Sequence, residues 1–337
     1  MLADVLARPL KDLRISVTDR CNFRCTYCMP FNEYPWMERN ELLTYEEILR
    51  LVGMFVRLGV EKIRITGGEP LVRKRLDVLV SGLASLEGIR DLSLTTNGAL
   101  LAKQAEALHE AGLKRINVSL DTLDPEKFKR ISQRGELASV LEGLRAAQSC
   151  GLYPIKINAV IERGVNDDEI VPLAEFARAR GFAIRYIEYM DAGNANHWRL
   201  EKVVTKREIL AALSARFGLR EARRADSSTP AVSYEFADGG GEVGVIASVT
   251  EPFCRDCDRA RLTSDGRLVT CLFSAKGHDL KSLLRSGARD SELSELIARL
   301  WGQRSDRYSE ERFVSPQRGV GYEPSRAPKL EMIVLGG

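Results

Sequence analysis

Apolar and polar positions alternate between two periods from residue 12 to about residue 190. Short runs of β character fall at Leu13–Val17, Lys62–Thr66, Asp91–Thr95, Arg115–Leu120, Ile155–Val160 and Ile184–Glu188. Amphipathic helical patterns lie between them, at Tyr45–Leu58, Leu76–Leu86, Lys103–Ala111, Leu137–Cys150 and Asp168–Arg180. Thr44 followed by Glu47 predicts a capping box at the first helix. Gly59, Gly112, Gly151 and Gly181 follow helical stretches, where a left-handed C-terminal cap is expected. Strands alternating with helices predict a parallel sheet joined by right-handed crossovers.

The residues that end these strands refine the picture. A cysteine-rich stretch follows the first strand, Gly67-Gly68-Glu69-Pro70 the second and Thr96-Asn97-Gly98 the third. Ser119 and Asp121 close the fourth, Asn158 lies in the fifth, and Glu188-Tyr189-Met190 end the sixth. Chemistry at the C-terminal end of every strand is the mark of a parallel barrel, whereas an open doubly wound sheet gathers it at one switch point. The expectation is an incomplete, TIM-like (β/α)6 barrel over residues 1–200. Beyond residue 200 the pattern changes to an α+β extension, residues 201–337. It has a helix at Lys206–Phe217, strands at Val232–Phe236 and Val243–Ser248 around Gly239-Gly240-Gly241, and a hairpin around Asp265-Gly266. Helices near Leu280–Leu284 and Glu292–Gly302 follow. A polar connector is expected at Arg220–Ser228 and a mobile or draped tail at Ser305–Pro328.

Composition narrows the class. The 337 residues are 44% hydrophobic and 29% charged, with a formal net charge of +3. That balance suits a globular protein and is too small to demand nucleic acid or a membrane surface as partner. No run of about 18 apolar residues suggests a spanning helix, and the first nine residues have no signal-peptide character. Seven cysteines, six of them in two groups, point to the reducing cytoplasm. Cys150, which stands alone, reads as a small hydrophobe.

The first group, Cys21, Cys25 and Cys28, packs three thiols into eight residues with Tyr27 before the last. Three thiolates on one loop can hold three irons of a four-iron cluster and leave the fourth open to a small molecule, where closed clusters take four cysteines. By spacing alone zinc is an alternative. The pattern Cys-x3-Cys-x2-Cys resembles that of the radical S-adenosylmethionine enzymes. The resemblance implies that the open iron chelates S-adenosylmethionine and that an electron from the cluster cleaves it to a 5′-deoxyadenosyl radical. In such enzymes the Gly67-Gly68-Glu69-Pro70 turn holds the methionine ammonium, its carbonyls exposed and Glu69 adding negative charge.

Cys254, Cys257 and Cys271 form a second triad. Zinc is open here too if His278 completes the tetrahedron, and a second four-iron cluster with an open iron is the other reading. Arg14 precedes the first triad, Arg64 and Lys156 lie in the second and fifth strands, and Arg259 and Arg261 stand two apart beside the second triad; five cations facing one cavity would require an anion, and arginine suits phosphate. The two triads together resemble the GTP 3′,8-cyclase family of molybdenum-cofactor biosynthesis, from about Leu10 to Gly336-Gly337. The resemblance implies two [4Fe-4S] clusters and S-adenosylmethionine as cofactors. It assigns Tyr27, Gly68, Ser119 and Met190 to S-adenosylmethionine, and Arg14, Arg64, Thr95, Lys156, Arg259 and Arg261 to GTP. The implied product is (8S)-3′,8-cyclo-7,8-dihydroguanosine 5′-triphosphate, handed to cyclic pyranopterin monophosphate synthase. It further implies an external one-electron donor, a monomer or homodimer, and a Gly336-Gly337 tail that reaches the active site. The competing readings are a two-cluster radical enzyme acting on a peptide or sugar, and a zinc- or cluster-stabilised binding module. His109, His197 and His278 receive no catalytic role.

Overall fold

The computed structural model describes residues 2–222, 228–312 and 329–336. The six expected strands form as β1 (Asp12–Ser16), β2 (Lys62–Thr66), β3 (Asp91–Thr96), β4 (Arg115–Ser119), β5 (Ile155–Ile161) and β6 (Ala183–Glu188). They lie side by side in chain order and all parallel. The connecting helices are α1 (Tyr45–Arg57), α2 (Leu76–Ala84), α3 (Ala105–Glu110), α4 (Pro125–Ser132), α5 (Leu137–Ser149) and α6 (Ile170–Ala179). α1 starts on the predicted box: Thr44 caps the Glu47 amide and the Glu47 carboxylate accepts from the Thr44 amide at 2.8 Å. α4 is absent from the sequence reading because its eight residues bury only one short stripe. Asp124, accepting from the Lys127 amide at 2.9 Å, and Pro125 at the first position start it.

Each of these strands has two unlike faces. Leu13, Ile15, Ile63, Ile65, Leu94, Ile116, Val118, Ile157 and Ile184 join Leu51, Phe55, Val80, Leu144 and Leu173 of the helices in one apolar core. The opposite positions are polar: Arg14, Arg64, Ser93, Thr95, Asn117, Ser119, Lys156, Asn158 and Arg185. A parallel sheet covered by helices on both sides would be apolar on both. This one carries its helices on one face and keeps the other for a polar interior.

The chain after residue 200 extends the same sheet at both edges. It contains β7 (Leu219–Glu221), β8 (Val232–Phe236), β9 (Glu242–Ile246), β10 (Arg259–Leu262), β11 (Arg267–Val269) and β12 (His278–Asp279). β9 adds parallel to β6, and β10 adds parallel to β1 with Arg259 opposite Asp12 and Arg261 opposite Arg14. Antiparallel hairpins finish each side, giving the order β12-β11-β10-β1-β2-β3-β4-β5-β6-β9-β8-β7. Among the described residues β12 and β7 are unpaired on their outer sides, so the sheet is open. Helices α7 (Lys206–Ser214), α8 (Lys281–Arg285), α9 (Asp290–Gly302), α10 (Tyr308–Glu311) and α11 (Met332–Leu335) complete this half. The expected tail at 305–328 is described only as far as Arg312, where it includes α10; residues 313–328, and 223–227 of the expected connector, lie outside the described residues. No helix among those described is long and apolar enough to cross a membrane.

Candidate active site

The first triad lies on the loop that leaves β1. Its shape depends on the turn after β2, where a Cβ on Gly68 would stand 2.4 Å from the Arg20 carbonyl oxygen and one on Gly67 2.9 Å from that of Thr18. The glycines therefore let the turn lie against the cysteine loop, where the Gly68 amide donates to Thr18 at 2.7 Å and the Glu69 amide to Arg20 at 2.8 Å. Glu69 is buried, and burial raises its carboxyl to about 7 against hydrogen bonds that favour the anion. Those come from the Leu71 amide (3.0 Å), the Thr96 hydroxyl (2.7 Å) and the Asn97 amide (2.7 Å). Asn97 in turn reaches Asn22 at 2.8 Å. Glu69 thus ties the turn after β3 to the cysteine loop. On the other side the Tyr27 hydroxyl donates to Asp121 at 2.7 Å. Burial lifts the Asp121 carboxyl to about 6. Burial also pushes the thiols up, Cys21 to about 11 and Cys28 to about 12, so both are held as thiols until a metal displaces the proton.

The second triad enters from the opposite end of the strands. Cys254 and Cys257 precede β10, whose first residue pairs with the first residue of β1, while the first triad follows the last residue of β1. At about 3.3 Å per residue the four steps of β1 separate the two loops by roughly 13 Å along the strands. Cys271 follows β11, which runs back toward the start of β10. Burial opposes ionisation of Cys257, but the Arg259 and Arg304 charges outweigh it and bring the thiol to about 7. Arg304, which sequence reasoning missed, donates to the Cys257 sulfur at 3.1 Å and to its carbonyl at 2.6 Å.

One cavity of about 580 Å³ joins the two loops. All six cysteines line it, as do Tyr27, Gly68, Glu69, Ser119, Met190, Arg14, Arg64, Thr95, Lys156, Arg259 and Arg261. Burial, then repulsion from Arg64 and Arg261, depresses the Arg14 guanidinium, and burial, then Arg185, lowers the Lys156 ammonium to about 8. Arg185 shares this lining and was also missed; the alternation Ile184-Arg185-Tyr186 on a parallel strand is the signal that could have found it. Gly244 lies opposite it, where a Cβ would make a tight 3.2 Å contact with the Arg185 side chain. Arg14 Nε, Arg185 Nε and Asn158 Oδ1 are buried and have no hydrogen-bond partner among the described residues. A cationic interior with unused donors fits a polyanion.

The C-terminal segment reaches this cavity, where Met332 joins the lining. Arg261 donates to the Gly336 carbonyl at 2.7 Å. Gly336 has φ +73°, and a Cβ there would stand 2.5 Å from Thr66. Lys329 and Arg312 each reach the buried Asp191 at 2.7 Å. Gly337 lies outside the described residues.

The donor sets also bear on which metal they suit. Each triad supplies three thiols, one short of the four ligands of a structural zinc. His278 is exposed on edge strand β12 and is not among the residues lining the cavity. Both triads, as free thiols on loops facing one cavity, fit open-iron clusters.

Comparisons with known proteins agree with this geometry. A family model described as the radical SAM superfamily matches residues 15–177, and one described as Molybdenum Cofactor Synthesis C matches 182–310. The chain is 52% identical to the GTP 3′,8-cyclase of Acidothermus cellulolyticus, over 100% of this chain and 99% of that one. It is 46% identical to that of Xanthomonas axonopodis pv. citri and 46% to that of Staphylococcus haemolyticus, each over 100% of this chain and 99% of the relative. Among solved structures, Streptococcus suis SuiB bound to S-adenosylmethionine superposes with a TM-score of 0.59 at 19% identity, covering 86% of this chain and 68% of that one. At that identity the likeness concerns fold alone.

Proposed function

The chain belongs to the GTP 3′,8-cyclase family of radical S-adenosylmethionine enzymes, and from that premise we propose how its cavity divides the work. The enzyme converts GTP to (8S)-3′,8-cyclo-7,8-dihydroguanosine 5′-triphosphate for molybdenum-cofactor biosynthesis, using S-adenosylmethionine and four-iron clusters. The observation that carries the assignment of roles is the single cavity lined by both cysteine triads and the cations between them.

In this reading Cys21, Cys25 and Cys28 hold the first cluster and Cys254, Cys257 and Cys271 the second, within an incomplete barrel (residues 1–200) and its extension (201–337). Bound there, the clusters and S-adenosylmethionine supply the reductive cleavage that starts the radical reaction and an open iron for the guanine edge. Tyr27, Gly68, Glu69, Ser119 and Met190 line the end nearer the first triad and hold S-adenosylmethionine. Arg14, Arg64, Thr95, Lys156, Arg259 and Arg261, with Arg185, hold GTP between the triads. Fixed cations lining the cavity between the triads would hold the triphosphate, which is a positioning and electrostatic contribution. Gly336, held by Arg261, closes the chamber. An external one-electron donor serves the first cluster, a reducing cytoplasm keeps the seven free cysteines reduced, and the product passes to cyclic pyranopterin monophosphate synthase.

The test is anaerobic incubation of the reconstituted enzyme with GTP, S-adenosylmethionine and dithionite. The product is an isomer of GTP, so chromatographic retention must be followed alongside mass. Formation of 5′-deoxyadenosine without a new nucleotide isomer would refute GTP as substrate.

A further inference from the structure

We propose that Arg304 is a positioning residue of the second cluster, whose guanidinium donates to the Cys257 sulfur and raises the reduction potential there. The inference rests on the reading that Cys254, Cys257 and Cys271 hold that cluster.

Arg304 follows α9 and is 4% exposed. One guanidinium nitrogen lies 3.1 Å from Cys257 Sγ and another 2.6 Å from the Cys257 carbonyl oxygen. The planar group lies 4.5 Å from the ring of Trp301, which is fully buried and donates through Nε1 to the Arg8 carbonyl at 3.1 Å. Asp4 and Asp306 each stand 3.6 Å away. The fork is therefore held in place before any cluster binds.

The same network reaches the other two cysteines. Arg8, 1% exposed, donates to the Cys254 carbonyl at 2.9 Å and to the Asp306 carbonyl at 2.7 Å. The Asp306 carboxylate accepts from Thr270, the residue before Cys271, at 2.7 Å. At the first triad Arg24 donates to the Cys21 carbonyl at 2.9 Å, but the donors at Cys21 Sγ itself, the Phe23 amide at 3.4 Å and Asn97 Nδ2 at 3.9 Å, are neutral. Hydrogen bonds to ligand sulfurs are among the factors that set cluster potential, and charge-assisted ones are the stronger kind. A donor at sulfur favours the reduced cluster, which carries one more negative charge. Arg304 thus adds to the Arg259 charge beside Cys257 in setting the second triad apart from the first, while ligating neither.

The experiment compares full-length wild type, R304Q and R304K, each reconstituted anaerobically with iron and sulfide and titrated with dithionite under EPR. The C21A/C25A/C28A variant assigns which signal belongs to the second cluster. Wild type is expected to hold about eight irons per chain. The second midpoint should move to lower potential in R304Q, and less far in R304K, which keeps charge and a donor; the first midpoint should stay put. A second midpoint unchanged in an R304Q enzyme with full iron overturns the proposal. So does loss of the second cluster's iron in both variants, because Arg304 would then be a folding element. A wild type holding only about four irons would instead overturn the two-cluster reading, and the proposal with it.

Discussion

The two cysteine loops of this enzyme reach one cavity by opposite means. The first is local: three cysteines within eight residues on the loop after β1, shaped by the turns after β2 and β3 through Gly68, Glu69 and Asn97. The second is assembled from distant pieces. Two of its cysteines precede β10, the third follows β11, and the side chains that fix them come from Arg8 near one end of the chain and Arg304 near the other. A loop shaped by its own sheet can be altered without disturbing the far side of the cavity. A loop held by both ends of the chain reports on whether the whole fold has closed.

The sharpest break in this comparison comes from the cysteines. Replacing Cys21, Cys25 or Cys28 by Ala should reduce 5′-deoxyadenosine formation to background. Cys271→Ala should spare uncoupled cleavage and remove the nucleotide product. Measuring both products from each variant decides whether the triads have separate tasks.

Gly68→Ala should affect the first loop alone. Its Cβ meets backbone rather than a flexible side chain, so about 1–3 kcal/mol of local strain is expected. Iron analysis should show loss of the first cluster and retention of the second; equal loss from both would mean that the loops are not independent.

Arg259→Ala and Arg261→Ala should each weaken GTP binding by about 1.5–3 kcal/mol, roughly 10- to 150-fold. Guanosine binding should change little. Equal losses for the two ligands in calorimetry would remove phosphate from the partners of these arginines.

Deleting Gly336 and Gly337 forfeits the contact between Arg261 and the Gly336 carbonyl. At the weaker end of a charged hydrogen bond this predicts a roughly tenfold fall in cyclised product, with both clusters loaded and 5′-deoxyadenosine still formed. An unchanged product ratio would make the segment a bystander.

The smallest effect is a pH dependence. Burial, reinforced by Arg185, lowers Lys156 to about 8. GTP selects the protonated ammonium, so affinity is full below that pH and lost as pH rises through it. Between pH 7 and 9 the affinity should fall about tenfold for one proton, and Lys156→Arg should flatten the profile.

How much of this was legible in the sequence differs between the loops for the same reason. The Thr44–Glu47 capping box and the glycines at 59, 112, 151 and 181, all with positive φ, are local signals, and the structure carries each of them. The order β1 to β6 followed from alternation and crossover handedness. The joining of β9 and β10 to its two edges did not, because pairing over such separations leaves no local pattern. The resemblance assigns Gly68 to the S-adenosylmethionine site; the structure gives the glycine a further reason, close packing on the Thr18–Arg20 backbone. Arg304 and Arg8 were invisible since nothing in their neighbourhoods distinguishes them from surface arginines; only the fold buries them.

The pairing of β10 with β1 also has a consequence for biosynthesis. β1 is translated nearly 250 residues before its neighbour on that side, Arg259–Leu262. Throughout that interval the first cysteine loop stands beside an unpaired strand edge, with the cationic wall contributed by Arg259 and Arg261 not yet made. At about 5–20 residues per second the gap lasts tens of seconds. The nascent chain can expose the thiols of the first loop long before it can enclose a substrate, because enclosure of the reactive chamber must wait for β10.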